Sequence, residues 1–137
     1  MKGEAMQMTL DASVRDRRAA VVIDLWGEVT AAGAPALLSA YETAAASSAP
    51  TIVLNCRKMR YINSQGIALL VELLKRSRQD RRTLIACGLA PHFAEIFEIT
   101  RLSDLIPLYA DERTALDVAR TIALQGYADN HSKENNS

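Results

Sequence analysis

The chain has 137 residues, 49% of them hydrophobic, and its 16 Lys and Arg balance 16 Asp and Glu. That length and apolar content suit one self-supporting domain, and a formal net charge of zero gives no global pull toward nucleic acid or an anionic membrane. Aromatic residues make up 5%, too few for a base-stacking surface. In chain order, Met6, Met8, Leu10 and Ala12 alternate with Gln7, Thr9, Asp11 and Ser13, so residues 6–14 read as a half-buried strand. A charged turn follows at residues 15–18. Residues 19–26 form a second, more buried strand, and Gly27 lets the backbone bend after it. Together these predict an opening hairpin.

Thr30 is placed to cap a helix over residues 31–46, with Pro35 near its start and Leu37, Leu38, Tyr41 and Ala45 on one face. Residues 47–50 stop it. Residues 51–56 are a β-branched apolar run, a strand buried on both faces. Residues 57–63 read as a loop, and Ser64 starts a helix to about residue 78. After a turn at residues 79–82, residues 83–87 form another buried strand, ended by Gly88. Pro91 opens a helix to about Ile99. Residues 102–105 turn, and residues 106–109 form a short edge strand that tolerates Pro107. Asp111 caps a last helix from Glu112 to about Leu124. The order is ββαβαβαβα. It predicts an α/β fold: one domain over residues 6–124 built on a mixed, mostly parallel sheet of about five strands. Residues 125–137 are polar and aperiodic, and are expected to form a disordered tail.

The two cysteines, Cys56 and Cys87, lie in apolar strands, where a thiol acts as a small buried hydrophobe. Two free thiols suit a reducing cytoplasm. The beginning of the chain shows no apolar segment of signal-peptide length, and no run approaches the roughly 18 residues that span a bilayer. The only histidines are His92, expected on the surface, and His131 in the tail. No phosphate loop, metal-ligand spacing, nucleophile elbow or carboxylate pair is present, which argues against an enzyme.

The informative stretch is residues 61–70, Tyr-Ile-Asn-Ser-Gln-Gly-Ile-Ala-Leu-Leu. Ser64 stands where a loop meets a helix. It can serve as a cap, accepting an N–H two or three residues on. It can also accept a phosphate, which the positive end of a helix tolerates. Ile67, Leu70, Val71 and Leu74 form the inward stripe. Leu69 and Leu73 are placed nearer the opposite face, where they either pack on a neighbouring element or form an apolar patch for a partner. Lys75, Arg76, Arg78, Arg81 and Arg82 make the far end of the helix basic.

These elements resemble the STAS family, in particular its bacterial anti-sigma-factor antagonists. The family motif is Asp-Ser-Ser/Thr-Gly-Leu at a helix start. Ser64 matches the phosphoacceptor, Gly66 the glycine and Ile67 the apolar residue after it. Residues 25–29, 52–55 and 93–102 resemble further family stretches. The chain departs from the pattern in three places. Asn63 replaces the aspartate and removes a charge beside the acceptor, Gln65 replaces the second hydroxyl residue, and Arg101 replaces a glycine, which suggests a locally different turn.

The resemblance implies a partner switch in the cytoplasm. The unphosphorylated protein binds an anti-sigma factor that is also a serine kinase, freeing the sigma factor for transcription. The kinase then transfers the γ-phosphate of ATP to Ser64, and the added charge weakens the complex. Mg-ATP belongs to the partner, so the chain itself needs no cofactor or metal, and it touches neither nucleic acid nor membrane directly. The expected contact face combines Asn63, Ser64, Gln65, Gly66, Leu69, Leu73 and Lys75 with a loop carrying Gly27, Glu28 and Thr30; Gly66 would give a partner room to approach. The alternative is a docking subunit of a phospholipid-transport ABC system, or another binding module that is never phosphorylated.

Overall fold

Five strands form one sheet in the order β1-β2-β3-β4-β5: β1 (Leu10–Asp16), β2 (Ala20–Val29), β3 (Thr51–Ile62), β4 (Thr83–Cys87) and β5 (Leu108–Tyr109). The computed structural model describes the backbone of residues 9–135 and the side chains of residues 9–126. β1 pairs antiparallel with β2, and every other pairing is parallel. The helices are α1 (Ala34–Ala45), α2 (Ser64–Gln79), α3 (Pro91–Ile99) and α4 (Glu112–Asn135). The predicted order and the mixed sheet are both present.

Alternation along β2 sends side chains to two cores. Val21, Ile23 and Leu25 join Ile52 and Leu54 of β3 on the face that packs against Leu37 and Tyr41 of α1, Leu70 of α2 and Phe97 of α3. Ala20 and Val22 join Val53, Ile85 and Cys87 on the other face, which α4 covers with Ala115, Leu116 and Ala119. Cys56 and Cys87 belong to different cores, so no disulfide joins them. Burial pushes their thiols up to about 12 and about 11, leaving both protonated and unreactive near neutral pH.

Two charged anchors tie the layers together. On the α4 face Arg15 donates to Asp24 at 2.6 and 2.9 Å and to Glu112 at 2.5 and 3.2 Å. Asn55 donates to Glu112 as well, at 2.9 Å. Arg15 holds the Glu112 carboxyl below its usual range. On the other side Arg82 donates to the carbonyls of Ala49 (2.8 Å), Ala45 (2.8 Å) and Ser47 (2.5 Å), closing the end of α1. Tyr41 donates to Asp80 at 2.5 Å, and burial together with that bond pushes its phenol up to about 12.

Several boundaries differ from the sequence expectation. Met6 and Met8 lie outside the described residues, and β1 runs on to Asp16. Residues 57–62 are strand rather than loop, because β2 also continues past Trp26 and pairs with them, Trp26 with Lys58 and Val29 with Ile62. Gly27 does not end β2. It sits inside the strand with φ +114°, where a β-carbon would stand 2.1 Å from the Thr9 carbonyl oxygen. Thr30 precedes one turn of 3-10 helix and caps nothing with its side chain, and α1 proper starts at Ala34 with Pro35 in its first turn. Asp111 does cap α4, accepting from Thr114 N–H at 2.8 Å. That helix passes the expected end at Leu124 and reaches Asn135; Gly126 is its only interior glycine and weakens it by about 1 kcal/mol without stopping it. Arg101 adopts φ 65°, so the turn keeps the left-handed geometry a glycine would take.

Candidate functional site

The site forms where the ends of β2 and β3 meet the start of α2. Val29 pairs with Ile62, and the Asn63 N–H donates to the Val29 carbonyl at 3.4 Å. Asn63 then caps α2: its side-chain oxygen accepts the Gly66 N–H at 2.9 Å, and its carbonyl accepts the Ile67 N–H at 2.9 Å. The capping residue is therefore Asn63 and not Ser64. An uncharged amide oxygen accepts this bond as a carboxylate would, so the change from aspartate keeps the cap and removes only the charge.

Ser64 is the first residue of α2 and is exposed. Its hydroxyl has no hydrogen-bond partner among the described residues. It belongs to the first turn of the helix, whose unpaired N–H groups favour an anion. Gln65 next to it is also exposed, and Asn63 and Thr30 are partly exposed. Replacing Asn63 by alanine is expected to cost about 1 kcal/mol in chemical denaturation. Ser64→Ala is expected to change stability by less than about 0.5 kcal/mol, because no native bond is lost.

The structure corrects part of the expected contact face. Leu73 is fully buried and Leu69 is 9% exposed; both join the domain's own core. At about 100° per residue Leu73 stands only about 60° from Leu70, and Leu69 about 100° from it. The apolar residues thus make one wide arc, with Ile67 and Val71 at its half-buried edge. Gly66 is buried too. A β-carbon there would lie 1.9 Å from the Val29 oxygen, so the close approach it permits is that of β2 and not of a partner. Gly27 is buried against Thr9 and is likewise unavailable, while Glu28 remains partly exposed within β2 rather than on a loop.

The exposed stripe of α2 instead runs through Ser64, Ala68, Glu72 and Lys75. Ala68 and Glu72 were not anticipated. Counting four and eight residues from Ser64 would have found them, since that spacing follows one helical face. Ala31 and Ala32, exposed in the 3-10 turn after Thr30, extend the same surface. His92 is exposed on α3, away from this site and tilted 5.2 Å from the Phe93 ring. Among the described residues no group of His, Cys, Asp and Glu could hold a metal ion, and no helix is long and apolar enough to cross a membrane.

Comparison with known proteins gives the family and the fold. The sequence profile described as "Mlab, STAS domain" matches residues 12–107, which include most of β1, all of β2 to β4 and the Ser64 site. The chain belongs to the STAS family. This STAS protein is 34% identical over 73 residues to BtrV of Bordetella bronchiseptica, named as an anti-sigma factor antagonist, covering 53% of its own chain and 62% of BtrV. It is 30% identical over 82 residues to the anti-sigma-B factor antagonist of Listeria monocytogenes, covering 60% of its own chain and 72% of that protein. Its fold matches the crystal structure of an anti-sigma factor antagonist from Mycobacterium paratuberculosis with a TM-score of 0.71 at 23% identity, over 81% of this chain and 94% of the other. The STAS protein is thus of the anti-sigma-factor-antagonist type, as these relatives are named.

Proposed function

We propose that this STAS protein acts in the cytoplasm by binding an anti-sigma factor that is also a serine kinase, and that phosphorylation of Ser64 releases it. The observation that supports this reading is the exposed, unbonded Ser64 hydroxyl at the start of a helix that Asn63 already caps. Phosphate on that oxygen adds about −1.5 to −2 charges. The helix N-terminus stabilises them, so α2 stays folded while the surface seen by the partner gains negative charge. The contact face in this reading is Ser64, Gln65, Ala68 and Lys75, with Asn63, Thr30 and Glu28 at its border. In this reading the sigma factor is free to direct transcription while the unphosphorylated chain holds the anti-sigma factor, and phosphorylation ends that state.

Incubation with the cognate kinase and ATP, followed by mass spectrometry, checks the assignment. The wild-type chain is expected to gain one phosphate at Ser64, and Ser64→Ala to gain none. Unchanged incorporation into Ser64→Ala would overturn it. Asn63, which lacks the charge of the family's aspartate, supports a second reading: a docking subunit that is never phosphorylated, such as that of a phospholipid-transport ABC system. Co-purification of an ABC ATPase with an unmodified Ser64 would favour the second reading over the first.

A further inference from the structure

The side of the sheet away from α2 carries a basic and aromatic surface that no helix covers. α4 shields Ala20, Val22, Val53, Ile85 and Cys87, but β4 ends where Cys87 pairs with Asn55. β2 and β3 run on beyond it as a two-stranded overhang flanked by β1. Within the overhang the register slips twice, between Asp24 and Trp26 and between Gly27 and Glu28, and each time β3 has one residue more than β2. Such bulges re-aim side chains. As a result Arg57 and Lys58 are both exposed, Met59 is buried, and Arg60 and Tyr61 are both exposed, where simple alternation would have hidden one of each pair.

Part of the surface that results is basic. A depression of about 370 Å³ is lined by Trp26, Arg57, Lys58, Met59 and Arg60, three cations with no carboxylate among them. None of the three forms an ion pair among the described residues. Trp26 is 49% exposed and Tyr61 46%, and the Lys58 ammonium stands 4.3 Å from the centre of the Trp26 ring. The larger cleft beside it shares Trp26, Arg57 and Lys58 and mixes both signs, with Asp11, Asp24, Asp111 and Glu112 among its walls; Arg60 belongs to the depression alone. In a chain of zero net charge, three cations without a carboxylate thus gather in the depression beside the half-exposed Trp26 ring.

We infer that the overhang is a docking surface for an acidic segment of a partner protein, distinct from the Ser64 face. Carboxylates of that segment would pair with Arg57, Lys58 and Arg60, and an apolar side chain would settle on Trp26 and Tyr61. Trp, Tyr and Arg are the residue types that dominate protein interfaces energetically, and complementary charge sets approach and register. A nucleic-acid strand fits less well, because Lys58 already occupies a face of the indole on which a base would stack.

Trp26 is the only tryptophan of the chain, so its emission reports on the site directly. The probe is a short peptide of repeating Glu-Glu-Leu, titrated into the whole chain at low salt. A saturable shift of Trp26 emission is expected, with affinity that falls as salt is added. The combined changes Arg57→Gln, Lys58→Gln and Arg60→Gln should weaken binding about tenfold, a loss of about 1.4 kcal/mol. The matched set Arg18→Gln, Arg78→Gln and Arg81→Gln, and Ser64→Asp alone, should leave it unchanged. Should the triple variant melt early, Lys58→Gln and Arg60→Gln separately should each weaken binding about twofold to threefold. Equal loss with the matched set, a saturable response to oligo-dT but not to the peptide, or no response to the peptide at all would overturn the inference.

Discussion

Replacing Gly66 by alanine is expected to lower the melting temperature by about 10 °C. Gly66 lies in the first turn of α2, where the backbone passes directly over the end of β2. A β-carbon at this position would stand 1.9 Å from the Val29 oxygen, 2.7 Å from its carbonyl carbon and 3.0 Å from an Ile62 side-chain atom. Two of these three are backbone atoms, which cannot rotate aside. The same Val29 carbonyl accepts the Asn63 N–H, and Val29 is paired with Ile62, so relief requires β2 and α2 to separate and that bond to lengthen. Overpacking of this kind costs about 3 kcal/mol, which in a domain of this size corresponds to the stated shift. Circular dichroism melts of the two proteins measure it. A Gly66→Ala protein as stable as the wild type would show that the strand and helix have slack that this geometry denies.

The second large effect is expected at Arg82. Its guanidinium donates to three carbonyls at the end of α1 and in the turn that follows, those of Ala45, Ser47 and Ala49. α1 ends without a left-handed glycine, so these oxygens depend on the arginine. Arg82→Met keeps most of the apolar stem and removes every donor, leaving partly buried acceptors unpaired. The expected cost is about 3 kcal/mol in urea denaturation, with an unchanged slope. Arg82→Lys should recover only part of it, because an ammonium is a point donor and cannot span three acceptors in a plane. Arg81→Gln, one residue away and exposed, should lie within about 0.5 kcal/mol of the wild type. Equal losses at the two positions would show that the basic turn contributes only charge.

Much of the architecture was readable from local patterns. Alternation in β1 and apolar runs in β2, β3 and β4 reported burial on one or both faces, and Pro91 and Asp111 marked helix starts that the structure keeps. The end of β3 was not readable. Arg-Lys-Met-Arg-Tyr-Ile does not alternate, because two bulges put neighbouring residues on the same side, and bulges depend on a partner strand that local sequence does not specify. Within the site, Ser64 was recognisable from its motif, but the division of duties around it was not. Asn63 and Ser64 are both acceptable caps, and only the direction of the Gly66 N–H separates them. Leu69 and Leu73 were misplaced for another reason. The apolar arc of α2 is wider than a simple i, i+3, i+4 stripe, since the helix lies against both the sheet and α1. Arg82 was legible only as one basic residue in a basic turn, because its acceptors lie 33 to 37 residues earlier in the chain.

The cap held by Asn63 has a consequence for how such a surface can change over time. The residue that secures the helix and the residue that meets the outside world are neighbours with separate obligations. Chemistry at Ser64, whether a transferred group or an inherited substitution, can therefore be tried without endangering the architecture beneath it. If Ser64 is the switch proposed above, a lineage could retune whom the protein answers to, or silence the response altogether, while inheriting an intact scaffold.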